Sequence, residues 1–271
     1  MNKENSCQKR YWRSKHQKGI EFLDAKLADC RFAPHIHNAF TVTVVEKGRL
    51  TRFYRTGSVT LHPGVLFIAG SQVPQGIDVS GQKDFCLYKS ILMDEQCISE
   101  HFPKFFKQYQ NSVVLVSSLE DSHNFNKTID EIAKASKTGL EPIFEESERI
   151  FNRMYKGKIL EKTILSEEIA KIKDFIDRNY LYSLDISHLS NIACFSYSHL
   201  IRKFKSEIGL SPHAYLIQKK IIEAKKLLID GNPLVSVAHG LGFYDQSHFS
   251  NTFKRVLGVS PTDYLEAKKE V

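Results

Sequence analysis

Three groups of residues in this 271-residue chain have the types and spacing to do chemistry. Arg202, Lys203 and Lys205 crowd one short stretch, and Lys254 and Arg255 another. Cations clustered this way can meet anionic phosphates. The plain alternative for any one lysine is a solvated face. His35 and His37 alternate in PHIHNAF. On a strand, alternate residues point the same way, so the two rings could supply two metal ligands. The simpler reading satisfies the ring nitrogens with backbone or water. Cys7, Cys30, Cys86, Cys97 and Cys194 are scattered with no CxxC pair, which predicts reduced thiols rather than disulfides or a metal site. No nucleophile–base set, P-loop or zinc cluster stands out.

The basic clusters sit inside a repeat. SHLIRKFKSEIGLSPHAYL (198–216) and SHFSNTFKRVLGVSPTDYL (247–265) align at an offset of 49, with nine of nineteen positions identical. Two copies are too few for a solenoid and indicate one small supersecondary unit used twice. Each copy has a short apolar helix and a tight connection, CFSY or GLGFYD. Gly240 and Gly242 are expected to supply the second turn. Ser196 and Asp245 are good N-caps for the helix that follows. Its apolar stripe is Leu200, Ile201, Phe204 and Ile208 in the first copy and Phe249, Phe253, Val256 and Leu257 in the second. Gly209 and Gly258 fall where a C-terminal stop belongs, and Ser-Pro opens the next helix. This is a helix-turn-helix pattern, whose second helix fits the major groove.

With these motifs in place, residues 169–271 resemble the DNA-binding domain of the AraC/XylS family of bacterial transcription regulators. GFYDQSHFSNTFKRVLGVSPTDYL follows that family's signature, with Leu265 standing where an arginine is common. The resemblance implies seven helices, with helix-turn-helix units at about 185–209 and 234–258 joined by a long helix at 212–229. It implies that Ser198, Ile201 and Arg202 of the first reading helix, and Gln246, Ser247 and Asn251 of the second, face bases. Ile201 departs from the polar residue common at its position. Arg202 has the donors for guanine O6 and N7, and Gln246 or Asn251 the pattern for adenine. Ser196, Lys203, Lys205, Asp245 and Lys254 suit phosphates, the two caps through their helix N-termini. The expected partners are double-stranded DNA, RNA polymerase, a small effector and a second copy of the chain.

Net charge is +7, but it does not mark the reading region: residues 1–18 carry +5, 19–166 zero and 167–271 +2. Residues 1–18 are expected to be a flexible basic tail. From about Gly19 to Met93, short β-branched and aromatic runs alternate with Gly, Pro and Asn, predicting a small antiparallel barrel or sandwich. PHIHNAF with LHPGVLFIAGSQVPQG resembles the cupin-like effector domain that the same family carries. The expected fold is therefore α+β in two domains: a cupin-like barrel with flanking helices over 19–160, a linker at 161–168, and the all-α domain. A cupin metal site also wants a carboxylate and a further histidine; Gln75 holds that second position and Glu46 is off the usual spacing. No metal or other cofactor is expected. If Phe40, Val42 and Val44 face inward, His37 lies near the barrel mouth, and Phe53, Phe67 and Tyr88 could line a pocket for a neutral or apolar effector. Two helical stretches follow, one capped by Ser118. Their apolar stripes pack on the barrel or form a dimer interface.

No run approaches the ~20 apolar residues of a membrane span, and no secretory signal opens the chain, so a cytoplasmic location is expected. Two other classes remain in view. One is a cupin-type metal-dependent enzyme fused to a helical module, and the other is a protein-interaction adaptor.

Overall fold

The computed structural model describes residues 7–13, 19–82, 84–134, 141–154, 157–182, 184 and 186–266. The chain divides into two compact units, the first running to Lys162 and the second covering Thr163–Leu265.

The first unit is built from two antiparallel sheets. One carries β1 (Cys7–Arg13), β2 (Ile20–Leu27), β4 (Ala39–Lys47), β7 (Val65–Ala69), β9 (Cys86–Asp94), β10 (Ser112–Ser117) and β11 (Lys158–Lys162), in the order β1-β2-β9-β4-β7-β10-β11. The other carries β3 (Arg31–His35), β5 (Leu50–Tyr54), β6 (Gly57–Leu61) and β8 (Gln75–Asp78), in the order β3-β8-β5-β6. Helices α1 (Glu95–His101), α2 (Pro103–Tyr109), α3 (Leu119–Lys134) and α4 (Glu141–Met154) complete the unit.

Register decides which residues look where, because paired residues in antiparallel strands share a face. The row Trp12, Phe22, Ile91, Val42, Ile68 and Val114 runs across the large sheet. It belongs to one core with Phe105 of α2, Phe125 and Ile129 of α3, and Ile143, Ile150 and Phe151 of α4. The neighbouring row, Tyr11, Leu23, Ser90, Thr43 and Phe67, points the other way, toward the small sheet. Phe40, Val42 and Val44 therefore face the helices, and Thr41 and Thr43 face the interior. That corrects the inward placement expected from alternation. Both faces of β4 are buried, so hydrophobicity alone does not say which is which. The stripes of α3 and α4 are used in this core, which resolves the choice between barrel packing and a dimer face in favour of packing. Ser118 caps α3 through the Asp121 N–H at 3.1 Å.

Three further expectations change. Cys7–Arg13 is strand β1, fully paired with β2, so the basic tail is not a free arm there; residues 1–6 and 14–18 lie outside the described residues. Its adjacent Tyr11 and Trp12, buried on opposite faces of the sheet, were hidden beneath the charge. Cys7 and Cys30 are joined as a disulfide, because β1 runs alongside β2 and brings Cys7 to the turn that follows it. Edge strand β11 takes up the first two residues of the expected linker, 161 and 162; its buried Glu161 accepts from Arg55 Nε at 3.0 Å and from the Thr56 N–H at 3.1 Å.

The second unit has seven helices among its described residues: α5 (Glu167–Asn179), α6 (Ile186–Ala193), α7 (Tyr197–Ile208), α8 (Pro212–Ile229), α9 (Leu234–Gly240), α10 (Gln246–Leu257) and α11 (Pro261–Glu266). Helix α8 packs on α5, α7, α9 and α10. Asp177 of α5 ties it to α8 by accepting from Tyr215 OH at 2.9 Å and pairing with Lys219 at 3.1 Å. Burial opposes the charge of Asp177, but Lys173, Lys219 and the tyrosine hydroxyl hold its carboxyl below the usual range. No helix among the described residues is long and apolar enough to cross a membrane.

Candidate nucleic-acid interface and barrel recess

Helices α6–α7 and α9–α10 are the two copies of the repeat, and they match beyond sequence. Ser196 Oγ caps α7 by accepting from the His199 N–H, and Asp245 Oδ1 caps α10 from the His248 N–H at 2.7 Å. Gly209 (φ 89°) and Gly258 (φ 82°) end the two helices in the left-handed region, where a side chain would be strained. Phe204 meets Tyr215 at 5.8 Å and Phe253 meets Tyr264 at 5.5 Å, both edge-on, so the offset of 49 holds in packing. The turn before the caps does not keep that offset. Phe195 N–H donates to Ser190 and Phe243 N–H to Ala238, an offset of 48. The second turn holds one extra residue, and Tyr244, 89% exposed, fills the additional position. The left-handed residue of the turn is Cys194 (φ 54°) in the first copy and Gly242 (φ 69°) in the second; Gly240 is helical.

Buried Leu200, Phe204 and Ile208 anchor one side of α7, and Phe249, Phe253, Val256 and Leu257 one side of α10. On the opposite sides Ser198 and Arg202, and Gln246, Ser247 and Asn251, are exposed, while Ile201 is half-buried. Lys205, Lys254 and Arg255 are exposed as well. Lys203 is drawn inward, paired with Glu207 at 3.6 Å and lying over the Phe195 ring. The Asp245 carboxylate is spent on its cap and places negative charge there. A phosphate at this end would be held by backbone N–H groups and not by that side chain.

The first unit has a small recess between its sheets, with room for about one water-sized molecule. His37 and Tyr88 line it; Phe67 lies beneath Arg52, its ring 5.4 Å from the guanidinium. Phe53 does not reach it. It lies on the outer face of β5, under the exposed Arg31 guanidinium. Arg52 takes the inward position, 2% exposed, donating to Thr43 Oγ1 at 2.9 Å and Gln75 Oε1 at 3.2 Å. A buried cation thus stands where a pocket for a neutral or apolar effector was expected. The signal was available: Leu50 and Arg52 share a face, and Leu50 pairs with Leu61 in the core. Lys9 of β1 also lines the recess, its ammonium 3.7 Å from the Phe32 ring centroid. Burial, and then the Arg52 charge, bring its pKa down to about 7. Burial pushes the Tyr88 phenol up to about 12 against the pull of Arg52. His35 and His37 stand edge-on at 4.8 Å, with His35 Nδ1 2.9 Å from the Ala33 carbonyl. Gln75, at the position a cupin metal site gives to histidine, serves the Arg52 guanidinium, and that cation opposes a metal ion nearby.

Two capped helix pairs with polar and basic residues opposite their buried stripes define a double helix-turn-helix DNA-binding protein. Residues 189–267 match the helix-turn-helix domain family. It is 24% identical over 224 residues to the uncharacterized HTH-type transcriptional regulator YbfI of Bacillus subtilis, covering 80% of each chain. It is 23% identical over 245 residues to the lactose operon transcription activator of Staphylococcus xylosus, covering 83% of this chain and 86% of that one. In fold it is similar to ToxT from Vibrio cholerae O395, with a TM-score of 0.60 at 13% identity over 94% of this chain and 100% of that one.

Proposed function

We propose that this chain is a transcription regulator of the AraC type that acts in the cytoplasm as a homodimer, reads two successive major grooves with α7 and α10, and answers to a small effector held between the sheets of its first unit. The observation that carries the reading is the repeat itself: two helices with the same caps and stops, each exposing a polar, basic side away from its buried stripe. Helix α8, 18 residues long, spans about 27 Å. That approaches the ~34 Å between successive major grooves on one side of B-DNA.

In this reading Arg202 makes the guanine contact of α7, and Ser198 and Ile201 flank it. Gln246, Ser247 and Asn251 read bases from α10. Lys205 and Lys254 hold phosphates, with the α7 and α10 N-termini at Ser196 and Asp245; Lys203 contributes only if it leaves Glu207. Tyr244 adds an exposed ring beside the α10 N-terminus. RNA polymerase is a further partner. An effector is compatible with the fold, since ToxT has been crystallised with an unsaturated fatty acid bound.

Genome-wide mapping of bound fragments, followed by competition binding on the recovered sites, tests the proposal. A shared two-part motif with parts one helical turn apart is expected. Binding that shows no preference over random DNA would refute it.

A further inference from the structure

Nine positions are identical in the two copies of the repeat. Six of them build the unit: the Phe204–Tyr215 and Phe253–Tyr264 ring contacts, the glycine stops, the Ser-Pro starts and the leucine after each tyrosine. Two more, Ser198/Ser247 and Lys205/Lys254, are exposed among the groups assigned to bases and phosphates. The ninth is His199/His248. Both side chains are exposed, and neither caps a helix, stops one or fills the core. Each imidazole stands edge-on to the phenyl ring of its own turn, His199 to Phe195 at 4.6 Å and His248 to Phe243 at 5.5 Å. That contact holds the ring beside the helix rather than beneath it. Each lies one helical turn ahead of a reading residue, His199 before Arg202 and His248 before Asn251. Both also sit in the first turn, where the helix dipole opposes a cation. A protonated histidine there works against its own helix and gains from an anion outside the protein.

We infer that His199 and His248 are a matched pair of phosphate contacts, cationic only when protonated, so that the hold on DNA tightens as pH falls. This rests on the proposed reading of DNA by α7 and α10 and adds to it a response to pH. Histidine is the side chain whose charge ordinarily changes between about pH 5 and 8. A phosphate beside the ring favours the protonated form, so the complex takes up protons that the free protein lacks. The sign follows: affinity present below the histidine range is lost as pH rises through it. Neither imidazole enters a hydrogen bond or ion pair among the described residues. The charged neighbours of His199 on α7 are Arg202 and Lys203, the latter paired with Glu207. Beside His248, the Asp245 carboxylate is bound to the backbone N–H. The acids of the packed helices are engaged elsewhere. On α5, Glu167 pairs with Lys171, Asp174 with Arg178 and Asp177 with Lys173, and Glu168 bonds Ser166. On α8, Glu223 pairs with Lys226, and Lys220 approaches the turn at Gly242. Helix α6 carries His188 against Phe175, and α9 carries His239.

Phosphate contacts act on every sequence alike, so a fluorescent duplex of random sequence is the probe, and anisotropy of the full chain bound to it is read between about pH 8 and about pH 6. Wild type is expected to bind roughly tenfold more tightly at the lower pH, with the slope of log K against log salt steeper there by about 2. His199→Gln combined with His248→Gln should flatten both responses. His199→Arg combined with His248→Arg, charged at either pH, should bind at the higher pH as tightly as wild type does at the lower. His213→Gln, at an exposed histidine of α8, should keep the wild-type response. The inference is overturned if wild type shows no pH response, if the glutamine pair keeps it, if the arginine pair still shows it, or if His213→Gln abolishes it. Melting followed by circular dichroism is run alongside. A glutamine pair that melts well below wild type also overturns the inference, by showing the two rings to be packing for Phe195 and Phe243. A wild type that binds no DNA at either pH removes the DNA reading as well, whereas binding with an unchanged response in the glutamine pair removes this inference alone.

Discussion

Arg202 and Lys254 are both exposed cations on the same kind of helix, yet their losses should be told apart. Arg202→Ala should weaken specific binding by ~1–3 kcal/mol and relax one base position, because only a guanidinium satisfies guanine O6 and N7 together. Competition binding against single-base variants of the site checks it; unchanged discrimination would remove Arg202 from the readout. Lys254→Ala should weaken every sequence alike and lower the slope of log K against log salt by about 1, one phosphate contact fewer. A salt titration on specific and random DNA measures that slope. Within the barrel, residue identity was legible but its side was not. Phe53 is the kind of residue a pocket uses, and Arg52 the kind a surface uses. The register of β5 reverses them, turning Arg52 inward and Phe53 out.

At the scale of elements, the reading unit could be traced almost whole because its signals are local. A cap, an apolar stripe, a glycine stop and a Ser-Pro start each act within one or two helical turns. Gly258→Ala should therefore destabilise the second unit by ~1 kcal/mol, since alanine must adopt the left-handed conformation at φ 82°. Denaturant unfolding of the variant measures this, and an unchanged midpoint would mean that the helix end relaxes to another conformation. The displaced turn was less legible. The alignment runs at 49 through the caps, and the backbone hydrogen bonds of Phe195 and Phe243, with the left-handed Cys194 and Gly242, show that Tyr244 is an insertion. Strand β11 and helices α1 and α2 escaped notice for a different reason. Each is short, and β11 is polar on its exposed side, with Glu161 buried only because Arg55 and Thr56 of a distant hairpin receive it.

For the whole molecule, the division between Lys162 and Thr163 predicts that the second unit stands by itself. Residues 163–271 expressed alone should fold with helical circular dichroism and keep the base preference of the full chain, with affinity lowered by loss of the proposed dimer partner. An unfolded fragment, or one with a different preferred site, would contradict this. The amino-acid sequence alone determined the reading unit, its caps and stops, and the alternation of strands before it, because those depend on interactions between near neighbours. Only the tertiary structure decided which face of each strand looks inward, that Cys7 meets Cys30, and that Arg52 sits uncompensated between two sheets. A strand buried on both sides carries no mark of its inner face, and that choice is made by the strands and helices that pack against it.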